Sequence, residues 1–109
     1  MDSTRLQKDV ARYLEQIEAE MRQIGMWQGE ALRPEQMEFT EAFAMDTMAF
    51  SQWLQFIFLP RVREAVAANH FPGSSSVGAQ AVREFDGVTE ASGLITLLSE
   101  FDGLFQQKK

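Results

Sequence analysis

No cysteine occurs among the 109 residues. Disulfides, thiolate nucleophiles and cysteine-held zinc or iron–sulfur sites are thereby excluded, and the chain is expected in a reducing cytoplasm. Histidine is nearly absent: His70 stands alone, which cannot supply a multi-histidine metal site. Hydrophobic runs are short. The uncharged stretch richest in large apolar side chains, Thr47 to Pro60, has 14 residues and includes Ser51, Gln52 and Gln55, whereas a membrane-spanning helix needs about 20 predominantly apolar ones. No membrane association is expected. Basic residues are outnumbered, 10 Lys and Arg against 16 Asp and Glu, for a net charge of −6. A phosphate backbone would be repelled, so direct nucleic-acid binding is not expected. The seven glycines are scattered, without a GxGxxG or Walker pattern, which argues against a nucleotide enzyme. Met1-Asp2-Ser3-Thr4-Arg5 opens a charged periodic stretch and does not read as a signal peptide.

What is present is helical periodicity in a length suited to one domain, taken as residues 1–109. Leu6, Val10, Tyr13, Leu14, Ile17, Met21 and Ile24 fall on one stripe and predict an amphipathic helix over about residues 3–24. Asp2 or Ser3 can cap its start and Gly25 can end it. Met26 to Phe43 reads as an ordered connection, with Met37, Phe39 and Phe43 folded back over the core. A central helical segment runs from Met48 to Ala68. Ahead of Pro60 it is apolar almost all round, with Ser51, Gln52 and Gln55 as a narrow polar strip. Beyond Pro60 the apolar face, Val62, Ala65 and Val66, is turned by more than a right angle. A proline inside a helix removes a hydrogen bond and meets the carbonyl four residues back, so a kink or break at Pro60 is predicted. Asn69 to Ser76 is a loop. A short helix follows with Val77, Ala81, Val82 and Phe85 inward, ending at Asp86-Gly87. The last helix is capped by Thr89 and carries the stripe Leu94, Leu97, Leu98, Phe101, Leu104 and Phe105, with Lys108 and Lys109 at its end. The fold class is all-α, an antiparallel bundle of about four helices with the central one kinked or broken at Pro60.

Chemistry is sparse by comparison. An Asp–His–Ser relay through His70 and Ser74 to Ser76 lacks a nucleophile elbow or oxyanion signature. Glu35, Glu38 and Glu41 recur every third residue and could offer oxygen ligands to a hard cation, but a dedicated site draws on several elements. No catalytic, cofactor-binding or metal-ligating residue is assigned. Asp46 stands in an apolar neighbourhood with two readings, a structural cap or turn residue paired to Arg61, or a buried carboxylate with a raised pKa. The segment around Pro60 has one functional hint. Trp53, Phe56, Leu59, Pro60 and Arg61 form a candidate interaction surface, with Phe56 and Leu59 bordering the polar strip and the first candidates for exposure.

Phe43-Ala44-Met45-Asp46-Thr47-Met48, followed by Trp53-Leu54-Gln55 and Leu59-Pro60-Arg61, resembles the YqcC-like family of small bacterial proteins. The resemblance extends more loosely to the leading helix, the Trp27 region and the Phe71-Pro72-Gly73 loop. It implies an all-helical protein without an established enzymatic activity. Members of that family are commonly encoded beside a tRNA pseudouridine synthase of the C type, which implies an accessory role. It brings no functional residues with it and simply singles out Asp46, Trp53, Pro60 and Arg61. The leading expectation is a non-enzymatic protein-interaction module, an accessory partner of a tRNA pseudouridine synthase. The alternatives are a small carboxylate-based enzyme or metal binder using Asp46 with the Glu35 series, and a homodimer joined through its central helices.

Overall fold

The computed structural model describes residues 3–105. Helix α1 (Ser3–Gln23) places Val10, Leu14, Ile17 and Met21 inward at 5% exposure or less. Each such side chain contributes about 1.5–3 kcal/mol when removed from water. The helix ends where the sequence places the stop. Gly25 takes φ +79°, which lets the Met26 amide reach the Met21 carbonyl at 2.8 Å and the Gly25 amide reach Arg22 at 3.3 Å. That pair of bonds closes the last turn and satisfies carbonyls a helix end leaves open. The capping expected of Asp2 or Ser3, and the C-terminal Lys108 and Lys109, lie outside the described residues and side chains.

The chain then crosses the molecule through two 3-10 turns, Pro34–Met37 and Ala42–Ala44, before entering the central rod. The rod consists of α2 (Phe50–Trp53), a π turn (Leu54–Phe58) and α3 (Leu59–Ala68). The predicted interruption at Pro60 takes the form of this π turn. Its closing bond runs from the Leu59 amide to the Leu54 carbonyl, five residues back. The wider turn opens the helix where the proline ring would otherwise press on the Phe56 carbonyl. Asn69, in the left-handed region at φ +51°, ends α3, with the His70 amide on the Ala65 carbonyl at 3.0 Å. Two shorter steps complete the chain, α4 (Val77–Glu84) and, after a 3-10 turn at Thr89–Ala91, α5 (Ser92–Gly103). Thr89 lies inside that turn and makes no side-chain cap, so its expected capping role is corrected. Among the described residues there is no strand, and no helix is long and apolar enough to cross a membrane.

Side-chain pairs fix the helix directions. Tyr13 donates to Glu100 at 3.1 Å while Gly93 faces the Glu20 carboxylate, so α1 and α5 run antiparallel. Gln7 donates to the Val66 carbonyl and Arg63 to Glu18, both at 2.6 Å, which sets α3 antiparallel to α1. Helices α4 and α5 approach most closely at Gly78. A Cβ there would lie 2.6 Å from Ser99 Cα, so only glycine allows the contact. The core between these layers includes Leu54, Leu59, Ala81, Leu94 and Leu98, all 0% exposed. Two expected inward residues point out instead: Val82 is 54% and Met37 52% exposed. Phe39 does fold back, onto a small second cluster of Ala44, Met48 and Ile57.

Candidate functional site

The first two of the three family-like segments meet at Trp53. Its ring packs edge-on against Phe43, with centroids 5.0 Å apart, stacks on Phe50 at 5.7 Å and touches Phe58 at 5.5 Å. In an α-helix, residues five apart point away from each other; the π turn brings Trp53 and Phe58 to one side. Phe43 reaches Trp53 from an unusual backbone. It and Ala44 both sit in the left-handed region, at φ +58° and +54°. Such a conformation costs about 1–3 kcal/mol per residue and persists only where its surroundings hold it. Here Ala44 is fully buried, and its carbonyl accepts the amides of Thr47 and Met48 at 3.1 and 3.2 Å.

Asp46 secures the same turn from outside. Its carboxylate accepts the Thr40 amide at 3.0 Å, the Thr40 hydroxyl at 3.1 Å and the Glu41 amide at 3.3 Å. The Thr40 amide is the chief cause of a pKa held below the ordinary carboxylate value; desolvation, next in size, opposes it, and the Glu41 amide, the residue's own amide and the Thr40 hydroxyl tip the balance downward. Asp46 is exposed. Of the expected roles of Asp46, the structure shows the turn residue and not the helix cap, while the buried carboxylate of raised pKa and the pairing with Arg61 are both corrected.

The polar strip on the central rod is spent on structure. Gln55, buried, accepts the Gln28 amide at 3.0 Å and donates to the Gln28 carbonyl at 2.7 Å. Gln52 accepts the Ala49 amide at 2.9 Å and donates to the Gln28 side chain at 3.1 Å. Gln36, also buried, accepts the Arg33 amide at 3.0 Å. These amides clamp the crossing segment onto the rod and cover the side that a small bundle would otherwise leave bare. Leu59 lies in the main core between the helices and is 0% exposed. Its expected place on an open surface is corrected; Phe56 and Pro60 are half-buried and Arg61 is exposed.

One opening, the most aromatic in its lining, is a cleft beyond Trp53. It measures about 230 Å³, between α3, the loop after it and α5. Phe58, Phe71, Pro72, Phe101 and Phe105 join Trp53 in its walls, with Arg61 as the charged side chain of the lining. Of the candidate surface residues the structure brings Trp53 and Arg61 together here, and leaves Phe56, Leu59 and Pro60 outside the lining. The rings form a continuous floor, Phe58 to Phe101 at 5.3 Å, Phe101 to Phe105 at 5.2 Å and Phe105 to Phe71 at 6.0 Å.

The loop wall is held by a residue that reading along the sequence passes over. Asp102, on α5 and 7% exposed, accepts the Ser75 hydroxyl at 2.5 Å and the amides of Val77 and Gly78 at 3.0 and 2.8 Å. A carboxylate from one helix thus caps the start of another. No local pattern announces it, because cap and capped residues are more than twenty positions apart. His70 is exposed in the same loop region, and Glu35, Glu38 and Glu41 are all exposed, with Glu35 paired to Arg33 at 2.9 Å. Among the described residues no group of three or more His, Asp or Glu is placed to hold a metal ion.

The model of the DUF446 family, described as tRNA pseudouridine synthase C, matches residues 9–104. An uncharacterised protein of Haemophilus influenzae is 25% identical over 99 residues, covering 87% of this chain and 93% of that protein. The uncharacterised protein YqcC of Escherichia coli is 32% identical over 65 residues, 59% of this chain and 60% of YqcC. A Pectobacterium carotovorum protein named tRNA pseudouridine synthase C is 38% identical over 56 residues, 51% of this chain and 15% of the synthase. No solved structure matches the chain. With the family model spanning nearly its whole length, the chain belongs to the DUF446 family, the YqcC-like small bacterial proteins.

Proposed function

We propose that this chain is a non-enzymatic protein-interaction module that serves as an accessory partner of a tRNA pseudouridine synthase. The observation that carries the reading is the aromatic cleft. Rings of the kind that dominate interface energetics line an opening of about 230 Å³, smaller than the roughly 300–1,000 Å³ of sites for drug-sized ligands. An opening of that size suits a side chain offered by another protein. The nature of the partner draws support from the Pectobacterium carotovorum synthase, a short part of which is similar to half of this chain. A segment like this one carried on a synthase chain in one bacterium makes the two natural candidates to associate when they are separate chains, since a covalent link only raises their effective concentration.

The test is direct binding between this chain and the purified synthase of the same bacterium, followed by sedimentation and calorimetry. A complex is expected. Ala65→Phe, which fills the cleft from its half-buried wall, is expected to weaken it about tenfold or more with the circular dichroism spectrum retained. The rate of pseudouridine formation with and without the chain then reads its effect on the synthase. Absence of a complex at high micromolar concentration would sink the proposal.

A further inference from the structure

We infer that the cleft receives an acidic peptide segment, one bulky apolar side chain entering between the rings and a neighbouring carboxylate meeting Arg61; this rests on the interaction-module reading and names what the module grips. The walls are preformed. The ring contacts from Trp53 through Phe58 and Phe101 to Phe105 and Phe71 set the floor, and Asp102 fixes the loop opposite through Ser75, Val77 and Gly78. A cavity ordered before binding lowers the entropic cost of association.

The polar groups decide the occupant. Ser75 turns its hydroxyl to Asp102 at 2.5 Å, so it is committed within the protein. Arg61 is the charged side chain of the lining. Among the described residues it forms no ion pair, whereas Arg12, Arg22, Arg33 and Arg63 each hold a carboxylate of this chain at 2.6–3.2 Å. An exposed guanidinium at the mouth of an apolar cleft presents a planar fork of donors suited to a carboxylate, and it lies over surface that excludes water once filled. One cation also falls short of what a nucleic-acid strand requires, several phosphates neutralised together against a chain of net charge −6. An apolar body with a single negative charge beside it is the chemistry that fits.

The test uses small probes of that chemistry on the isotopically labelled full chain, read by NMR. N-acetyl-L-phenylalanine carries the carboxylate, and N-acetyl-L-phenylalaninamide lacks it. The carboxylate probe is expected to shift the Trp53 indole and the amides about Arg61 and Phe71, binding about threefold to tenfold more tightly than the amide. Arg61→Gln is expected to erase that preference while leaving amide binding unchanged, and Arg61→Lys to restore part of it. Equal affinities, or shifts confined to another face, overturn the inference. Tighter binding of uridine 5′-monophosphate at the same residues overturns it in favour of RNA. Synthase binding that survives Arg61→Gln undiminished also overturns it, yet leaves the accessory reading intact. Probe selectivity without any synthase complex supports the cleft's chemistry and removes the accessory reading alone.

Discussion

Two aspartates show how far single residues could be read in advance. Asp46 bonds to amides six and five positions earlier in the chain, a local turn of the kind its sequence neighbourhood suggests. Asp102 does the same work across two helices, and nothing near it in sequence points to that. Asp102→Asn keeps the shape but can offer only one oxygen to the Ser75 hydroxyl and the Val77 and Gly78 amides. At least one buried donor then loses its partner, a cost of about 1–3 kcal/mol. The expected result is a lower urea midpoint at neutral pH with faster amide exchange at residues 75–78; an unchanged midpoint would refute the capping role. The pH dependence of Asp46 has a definite sign. Its carboxyl in the folded chain titrates below the ordinary 3.8 of an unfolded aspartate. Its stabilising contribution is therefore present above that value and is lost as pH falls through the lower folded one. Asp46→Asn should be less stable than the parent at neutral pH, with the gap closing below pH about 4. A gap that stays constant into strong acid would mean that the carboxylate charge is not what holds the turn.

Among the elements, α1 was legible to within a residue, because its stripe and Gly25 are local signals. The central rod was legible only up to its π turn. Counting at 100° per residue straight through residues 54–58 places Leu59 beside the polar strip. The π turn takes up an extra residue per turn, rotates the following segment and swings Leu59 into the core. The polar strip was itself visible in the sequence, but the use of Gln55 was not, since its partner groups come from Gln28 in a crossing segment without regular periodicity. Gln55→Ala isolates that use. The Gln28 amide and carbonyl both lose their partner, so the crossing segment loosens from the rod while α1 and α5 keep their own contacts. Hydrogen exchange is expected to rise over residues 28–48 and to stay unchanged in α1 and α5, with about 1–3 kcal/mol lost overall. A uniform rise across the chain would show instead that the clamp belongs to the global core.

At the scale of the whole molecule, the all-helical antiparallel bundle follows from amphipathic stripes and short connections, and it was readable before any coordinates. The candidate site was half readable. Trp53 and Arg61 were singled out, but the cleft they share needs Phe71, Phe101 and Phe105, brought there by the docking of α5, and no periodicity in one segment reports a contact with another. The same packing bears on self-association. The apolar central rod suggests a dimer when its sides are counted alone, since a small bundle struggles to bury them all. In the folded chain Leu54, Ile57, Phe58 and Leu59 are each 8% exposed or less: Leu54, Phe58 and Leu59 lie in the main core between the helices, and Ile57 packs with Leu32 and Phe39 of the crossing segment. Among the described residues, the large apolar side chains most open to solvent are three, Met37, Met45 and Val82. Scattered apolar residues are ordinary for a monomer surface, and stable homodimers bury far larger continuous areas. With a net charge of −6 on each copy, mutual repulsion opposes a dimer further, most strongly at low salt. Sedimentation equilibrium is therefore expected to return the mass of one chain, 12.4 kDa, across micromolar to submillimolar concentrations at both low and moderate salt. A mass near twice that value, persisting on dilution, would overturn the monomer and restore the homodimer reading.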